Sequence, residues 1–219
     1  FRSRHYAHGG AYSGASENGT CATLHTMAVN GYGTASPDTR LELNFYTGRV
    51  EVDGKYVTLD DGTPLQYMPL AVEQNLTASK YIETAGARMK KYEVDRTAYS
   101  DGRMPDNDIV LYRYADVLLM KAEAKVRNGE SGDEQLNAVR SRAGMPSLAA
   151  TLANILDERL LELVWEGWRR QDMIRFGTYC EPYDIHTPSA ADKKGYTIVF
   201  PIPEKARELN PNLAQNPGY

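Results

Sequence analysis

The strongest constraint on how this chain can fold is the stretch from Asp108 to Gly129, DIVLYRYADVLLMKAEAKVRNG. In it, Tyr112, Ala115, Leu119, Ala122 and Val126 recur at steps of three and four residues. That spacing places the apolar groups along one side of an α-helix, and Asn128-Gly129 supplies a C-terminal stop. After a short turn, Leu136, Val139 and Ala143 continue the period until Gly144 and Pro146 end it. The expected result is a second helix, antiparallel to the first. Small residues at Ala115, Ala122 and Ala124 would let the two backbones come close. Such a pair is like one tetratricopeptide unit, and an isolated unit cannot bury its own apolar face, so an exposed side is expected to pack on further chain. A third helix is predicted from about Leu152 to Trp165, capped by Thr151, and a short fourth from Arg169 to Phe176, stopped by Gly177.

Composition shifts near residue 108. Between Phe1 and Gly33 the chain is crowded with Gly, Ser, Thr, His and Tyr and shows no helical period, which predicts long surface loops. Leu41–Tyr46 and Tyr56–Leu59 alternate like strands, bounded by Gly48, Gly54 and Gly62, and Arg88–Val94 has weak strand character. Tyr196–Phe200 is also strand-like, ahead of a proline-punctuated tail. The division expected is therefore a loop-rich region over 1–107 and a helical region over 108–219, both parts of one domain. The start at Phe1-Arg2-Ser3-Arg4 and the close at Asn216-Pro217-Gly218-Tyr219 suggest a true C-terminus and missing chain at the N-terminus.

Bulk chemistry narrows the function. No apolar run approaches the roughly 18 residues of a spanning helix. A net charge of −4, with basic residues scattered, offers no field for nucleic acid. Cys21 and Cys180 match no disulfide framework, and the stretch before Cys21 lacks the apolar run a lipid-attachment site requires.

Several groupings could carry chemistry. Glu158, Glu162 and Glu166 fall at i, i+4 and i+8 on one helical face, as acid–base catalysis would require. With Arg169, Arg170 and Arg175 following, the structural reading is stronger: pairs such as Glu166–Arg170 and Asp172–Arg175 fix helix orientation. Trp165 and Trp168 read as core. His5-x-x-His8 and Cys21-x-x-x-His25 supply two ligands each where zinc needs three or four, and Asp101, Asp106 and Asp108 lack calcium-loop spacing, with Asn107 or Asp108 better read as helix caps. No metal, cofactor or catalytic residue is therefore assigned. The remaining signal is tyrosine, 15 in all. Tyr6, Tyr12 and Tyr32 are candidates to stack on sugar rings, with His8 and Asn30 as polar contacts.

The strings LYRYADVLLMKAEAKVRNGE, LNAVRSRAGMP, DERLLELVWEGWRRQDMIRFG and FPIPEKARELNPNLAQNPGY, in that order, resemble the C-terminal region of the SusD/RagB family. Asp38-Thr39-Arg40 also fits that family's Asp-x-Arg element, expected before a strand. The resemblance implies a mainly α, SusD-like fold of tetratricopeptide-like helix pairs with long loops and a few short strands. It further implies a surface-exposed outer-membrane lipoprotein of Bacteroidetes, anchored through a lipid upstream of these residues, that binds a glycan without catalysis and works with a SusC-like TonB-dependent transporter. Trp168 stands where a His is common in the family, and the family's strings carry no ligand residue across. The alternatives are a peptide-binding member of the same family, a plain repeat scaffold for protein partners, and a glycoside hydrolase using Glu158 or Glu162.

Overall fold

A computed structural model describes residues 3–12, 16–97 and 106–219; Asp101 and Gly102 of the acidic cluster lie outside them. The helical half forms as its periodicity dictates. Helix α4 (Tyr114–Arg127) lies against α5 (Asp133–Arg142) and α6 (Leu152–Leu163). Leu119, Ala122, Leu136, Val139 and Ile155 make their shared core, each almost wholly buried. Gly129, at φ +77°, closes α4. Its N–H donates to Val126 O, and the Glu130 N–H donates to Lys125 O, the paired bonds of a left-handed C-cap that a Cβ would disfavour. At Gly132 the backbones of α4 and α5 nearly touch, and a Cβ there would sit 2.7 Å from Ala122 O. Of the small residues read from the sequence, Ala122 serves that approach and Ala115 packs against the shared core, whereas Ala124 is exposed.

Helix α6 begins where Thr151 Oγ1 accepts the Asn154 N–H at 3.1 Å. It ends at Leu163, two residues short of the predicted Trp165, because Val164 is extended and Trp165 turns to φ +70°. Helix α7 follows at Arg169–Arg175. Asn107 and Asp108 cap nothing: α4 starts at Tyr114, with Arg113 in the preceding extended position.

The first half is less irregular than expected. Short helices α1 (Tyr6–Ala11), α2 (Leu24–Val29) and α3 (Arg40–Asn44) stand where loops or a strand were anticipated. At six residues, α1 and α2 are too short to show a period, and side-chain caps set them: His5 Nδ1 accepts Ala7 N–H and Thr23 Oγ1 accepts Thr26 N–H. Leu41–Tyr46 alternates like a strand, yet Asp38 Oδ1 accepts the Arg40 N–H at 2.9 Å and starts a helical turn. The turn brings Leu41 and Phe45 to the same side and leaves Leu43 62 % exposed.

Three two-residue antiparallel pairs follow: β1 (Phe45–Tyr46) with β6 (Arg88–Met89), β2 (Gly48–Arg49) with β5 (Gln66–Tyr67), and β3 (Glu51–Val52) with β4 (Lys55–Tyr56). Behind them Val50, Val52, Val57, Leu65 and Tyr67 form a small core against which Ala7 and Tyr12 of the α1 region pack. A further cluster of Ala22, Met27, Phe45, Ala87 and Val164 joins the two halves. In the tail, α8 (Ala190–Lys193) carries a capping box between Ser189 and Asp192. Tyr196–Ile198 is a 3₁₀ turn rather than the expected strand: Gly195 is left-handed, and Thr197 Oγ1 donates to Asp192 Oδ1 at 2.7 Å. After α9 (Glu204–Leu209), Tyr219 OH donates to Val199 O and fixes the closing residue to that turn. Among the described residues no helix is long and apolar enough to cross a membrane.

Candidate functional site

The carboxylate row on α6 faces inward. Glu158 is 1 % exposed and Glu162 2 %. Arg40 holds both, with Nη1 donating to Glu158 Oε1 at 2.7 Å and to Glu162 Oε2 at 3.0 Å, while its Nε and Nη2 grip Asp38. Arg140 donates to the other oxygen of Glu158 at 2.7 Å, and Arg142 and Arg113 close on Glu162. Glu166 takes Arg113 and Lys91. Burial alone would raise the Glu162 carboxyl, but the hydrogen bond from Arg113 and the charges of Arg113, Arg142 and Arg40 outweigh it and hold it below the usual carboxylate range. It stays ionised and fully engaged. A hydrolase's general acid needs the opposite, a carboxyl raised by an unpaired apolar setting.

The predicted Glu166–Arg170 pair does not form; Arg170 instead donates to Thr197 O and Ile198 O. Asp172–Arg175 does form, at 2.8 Å, within a second network in which Arg159 bridges Asp116 and Asp172. Sequence spacing pointed to near neighbours. The true partners of the glutamates lie remote in the chain, and the Asp38-x-Arg40 element is their keystone.

The candidate ligand residues divide into two groups. Tyr6, His8 and Tyr12 gather on α1 and its end. Tyr6 is 58 % exposed, Tyr12 half-buried, and His8 fully buried. The His8 ring lies 5.5 Å from Tyr12 and 4.5 Å from Tyr46, and its Nδ1 is 2.9 Å from Tyr67 OH. Burial, helped by the charges of Arg4 and His5, pushes its pKa down to about 3, so the ring is neutral. Tyr12 and Tyr46 hydroxyls meet at 3.3 Å, and burial together with that hydrogen bond pushes the Tyr12 phenol up to about 12. Arg4 and Lys90 lie over Tyr46, and Arg96 lies 5.0 Å over Tyr12. The result is a patch of phenol rings flanked by cations, of which Arg96 is paired with Asp53. Such faces can stack on a ring while the hydroxyls and guanidinium donors address hydroxyl groups.

Asn30 and Tyr32 stand apart, at the end of α2. Asn30 is 1 % exposed, its Nδ2 donating to Thr26 O at 2.7 Å, and Tyr32 packs against the cluster that joins the halves. His8 and Asn30 are thus turned inward and present no polar atom outward. Tyr46, Tyr67 and Arg96 were missed by sequence reasoning because strand pairing and loop return, not local spacing, bring them to α1. The only hint was the tyrosine count. Among the described residues no cluster of His, Cys, Asp or Glu could hold a metal.

A family model described as the SusD family matches residues 28–219. The chain belongs to the SusD family. Among curated relatives it is 30 % identical over 139 residues to the starch-binding protein SusD of Bacteroides thetaiotaomicron, a match covering 60 % of this chain and 25 % of that protein. It is 36 % identical over 134 residues to a SusD-like protein, P25, of Formosa agariphila, covering 52 % of this chain and 25 % of the relative. The chain therefore spans about a quarter of the length of these curated relatives. Among solved structures, surface glycan-binding protein A from Bacteroides uniformis superposes with a TM-score of 0.61 at 23 % identity, over 93 % of this chain and 43 % of that one. That likeness is one of fold, and it bears out the helix-dominated SusD-like architecture. The SusD family span begins at residue 28, so Tyr6, His8 and Tyr12 lie outside it, whereas Arg40, Glu158 and Glu162 lie inside.

Proposed function

We propose that the complete protein binds an oligosaccharide at the outer-membrane surface without cleaving it and hands it to a SusC-like TonB-dependent transporter. The observation that carries the binding reading is the commitment of Glu158, Glu162 and Glu166 to arginine and lysine partners, which leaves the helical half a scaffold with no acid–base pair. The starch-binding relative, 30 % identical, points the same way and favours glucose-containing glycans as first candidates. Tyr6 and Tyr12 are the stacking faces in this reading, with Arg96 packed over Tyr12 and held there by Asp53 at 2.7 and 2.8 Å. His8 works from behind by holding Tyr67 and Tyr46 in place. The outer-membrane location, the lipid anchor and the transporter come from family membership.

Calorimetry on the complete protein with a panel of starch-derived and other oligosaccharides, plus short peptides, tests this reading. Binding of one glycan class, weakened about tenfold by Tyr12→Ala, is the expected outcome, since packing of a sugar's C–H face on an aromatic ring is worth on the order of 1 kcal/mol. Selective binding of peptides would replace the glycan reading with the peptide one. Co-purification of a TonB-dependent transporter tests the hand-over separately.

A further inference from the structure

Away from α1, the chain forms a concave feature against α6. Between α2, the end of α6 and α7 lies a cavity of about 370 Å³, within the roughly 300–1,000 Å³ typical of small-molecule sites. Leu160, Leu163 and Val164 make its floor, and the aromatic walls are Trp165, Trp168 and Tyr183. The Trp165 turn at φ +70° sets this wall, with its indole N–H donating to Asn44 O at 2.9 Å, so that ring is fixed. Trp168 meets the Tyr112 ring, at 5.5 Å between ring centres.

Charge decides what such a cavity can take. Arg159, Arg169, Arg170 and Asp172 line it. Arg159 and Asp172 neutralise one another at 2.9 Å within the buried network. Arg169 and Arg170 form no ion pair among the described residues. Arg169 gives Nη1 to Leu156 O and leaves Nε buried without a partner; Arg170 gives Nη2 to two backbone carbonyls and leaves its other nitrogens uncommitted. The nearby carboxylate of Asp184 accepts the His25 N–H. Arg169 lies over the Tyr183 ring and Arg170 over Tyr179 and Phe200, and two such guanidiniums without a carboxylate partner can answer an anion with charge-assisted hydrogen bonds. Thr23 and Thr26 also line it; their hydroxyls meet at 3.1 Å and keep hydrogen-bonding capacity suited to ring hydroxyls.

We propose that this cavity binds an acidic sugar residue, its ring stacked on Trp168 and its carboxylate held by Arg169 and Arg170. The inference stands on the cavity alone and is independent of the reading at Tyr6 and Tyr12. A neutral sugar would bring no counter-charge to the two guanidiniums, and a flat aromatic carboxylate would leave the remaining hydrogen-bonding capacity of the paired threonine hydroxyls unused.

Cys21 lines the same cavity and Cys180 does not, so alkylation reports occupancy locally. The complete protein is treated with iodoacetamide in the presence of glucuronate, glucose or benzoate, with peptide mass spectrometry reading each cysteine. Glucuronate is expected to slow Cys21 labelling at least fivefold while Cys180 labels at its usual rate, and equal concentrations of glucose or benzoate should protect at least tenfold less effectively. Arg170→Gln should raise the glucuronate concentration needed by tenfold or more. Trp168→Ala, which removes only a half-buried ring, should do the same if the Arg170 variant unfolds. Equal protection by glucose or benzoate, no protection by glucuronate, or glucuronate protection unchanged in a folded Arg170→Gln or Trp168→Ala protein would each overturn the proposal. The readout sits at Cys21, so it decides the cavity whatever neutral oligosaccharides do at Tyr6 and Tyr12.

Discussion

The helices from Tyr114 to Arg175 and the segment from Ser3 to Thr97 place polar groups in their interiors in different ways. In the helices, buried charge is matched with opposite charge: Glu158, Glu162, Asp116 and Asp172 each meet at least one guanidinium within 3.0 Å. In the first segment, apart from the Asp38–Arg40 pair that reaches into the helical network and Arg88, which donates to backbone carbonyls, buried polar groups such as His8 and Asn30 share hydrogen bonds with uncharged partners, Tyr67 and Thr26. A charged network tolerates no missing member, because the remaining charge is stranded in low dielectric. A cluster of phenols and a neutral imidazole can lose one group more cheaply and can present its outer rings to a ligand. The first arrangement makes a scaffold; the second makes a surface that can change from one relative to the next. It is consistent with this that the SusD family match covers the networks and leaves out α1.

The largest effect that would break the comparison is expected at Arg40, which joins the two regions. Arg40→Ala strands Asp38 and takes one guanidinium each from Glu158 and Glu162, which keep Arg140 and Arg113 with Arg142, and should lower unfolding free energy by about 3–5 kcal/mol, read by chemical denaturation. A loss below about 1 kcal/mol would mean that the network is peripheral. Next comes Leu136→Ala in the three-helix core, where a fully buried side chain leaves a cavity; about 2–5 kcal/mol should be lost on the same assay.

His8 sharpens the contrast through pH. Its folded pKa, about 3, lies below the ordinary value of 6.5, so the unfolded chain binds the extra proton between those values. Its contribution is present above pH 6.5 and is lost as pH falls toward 3, by on the order of a few kcal/mol at most. Denaturation midpoints measured across that range should fall less steeply in His8→Phe than in the parent. An unchanged slope would show that His8 charges freely. Below about pH 4.5 both proteins should lose stability further, as the depressed Glu162 and Glu123 carboxylates are protonated.

Smaller still is Thr151→Ala, which removes the α6 cap and should cost about 1 kcal/mol. Smallest on stability is Tyr6→Ala, within about 0.5 kcal/mol because the ring is exposed, although oligosaccharide affinity should fall several-fold.

What could be read from sequence followed the same division. Apolar steps of three and four, with Gly129, Gly144 and Gly177 as stops, located α4, α5 and α7, because local periodicity and capping decide such helices. The six-residue α1 and α2 had no period to show, and Leu41–Tyr46 mimicked a strand until Asp38 and Arg40 turned it. Glu158, Glu162 and Glu166 were rightly taken as structural, but their partners were sought within four residues, whereas Arg40 lies 118 positions from Glu158. Only the fold supplies that closeness. At the candidate surface, Tyr6 and Tyr12 were visible as amphipathic rings, while the inward turn of His8 and Asn30 depended on Tyr67 and Thr26, whose positions sequence spacing cannot reveal.

The most direct test of the central claim, that this SusD family chain binds glycan on a scaffold whose carboxylates do no chemistry, is one incubation of the complete protein with an oligosaccharide it binds. Bound ligand and released reducing ends are followed together. The account predicts saturable binding that weakens in Tyr6→Ala and Tyr12→Ala and no release of reducing ends at any pH from 4 to 8. Release that disappears in a folded Glu158→Gln or Glu162→Gln protein would contradict it.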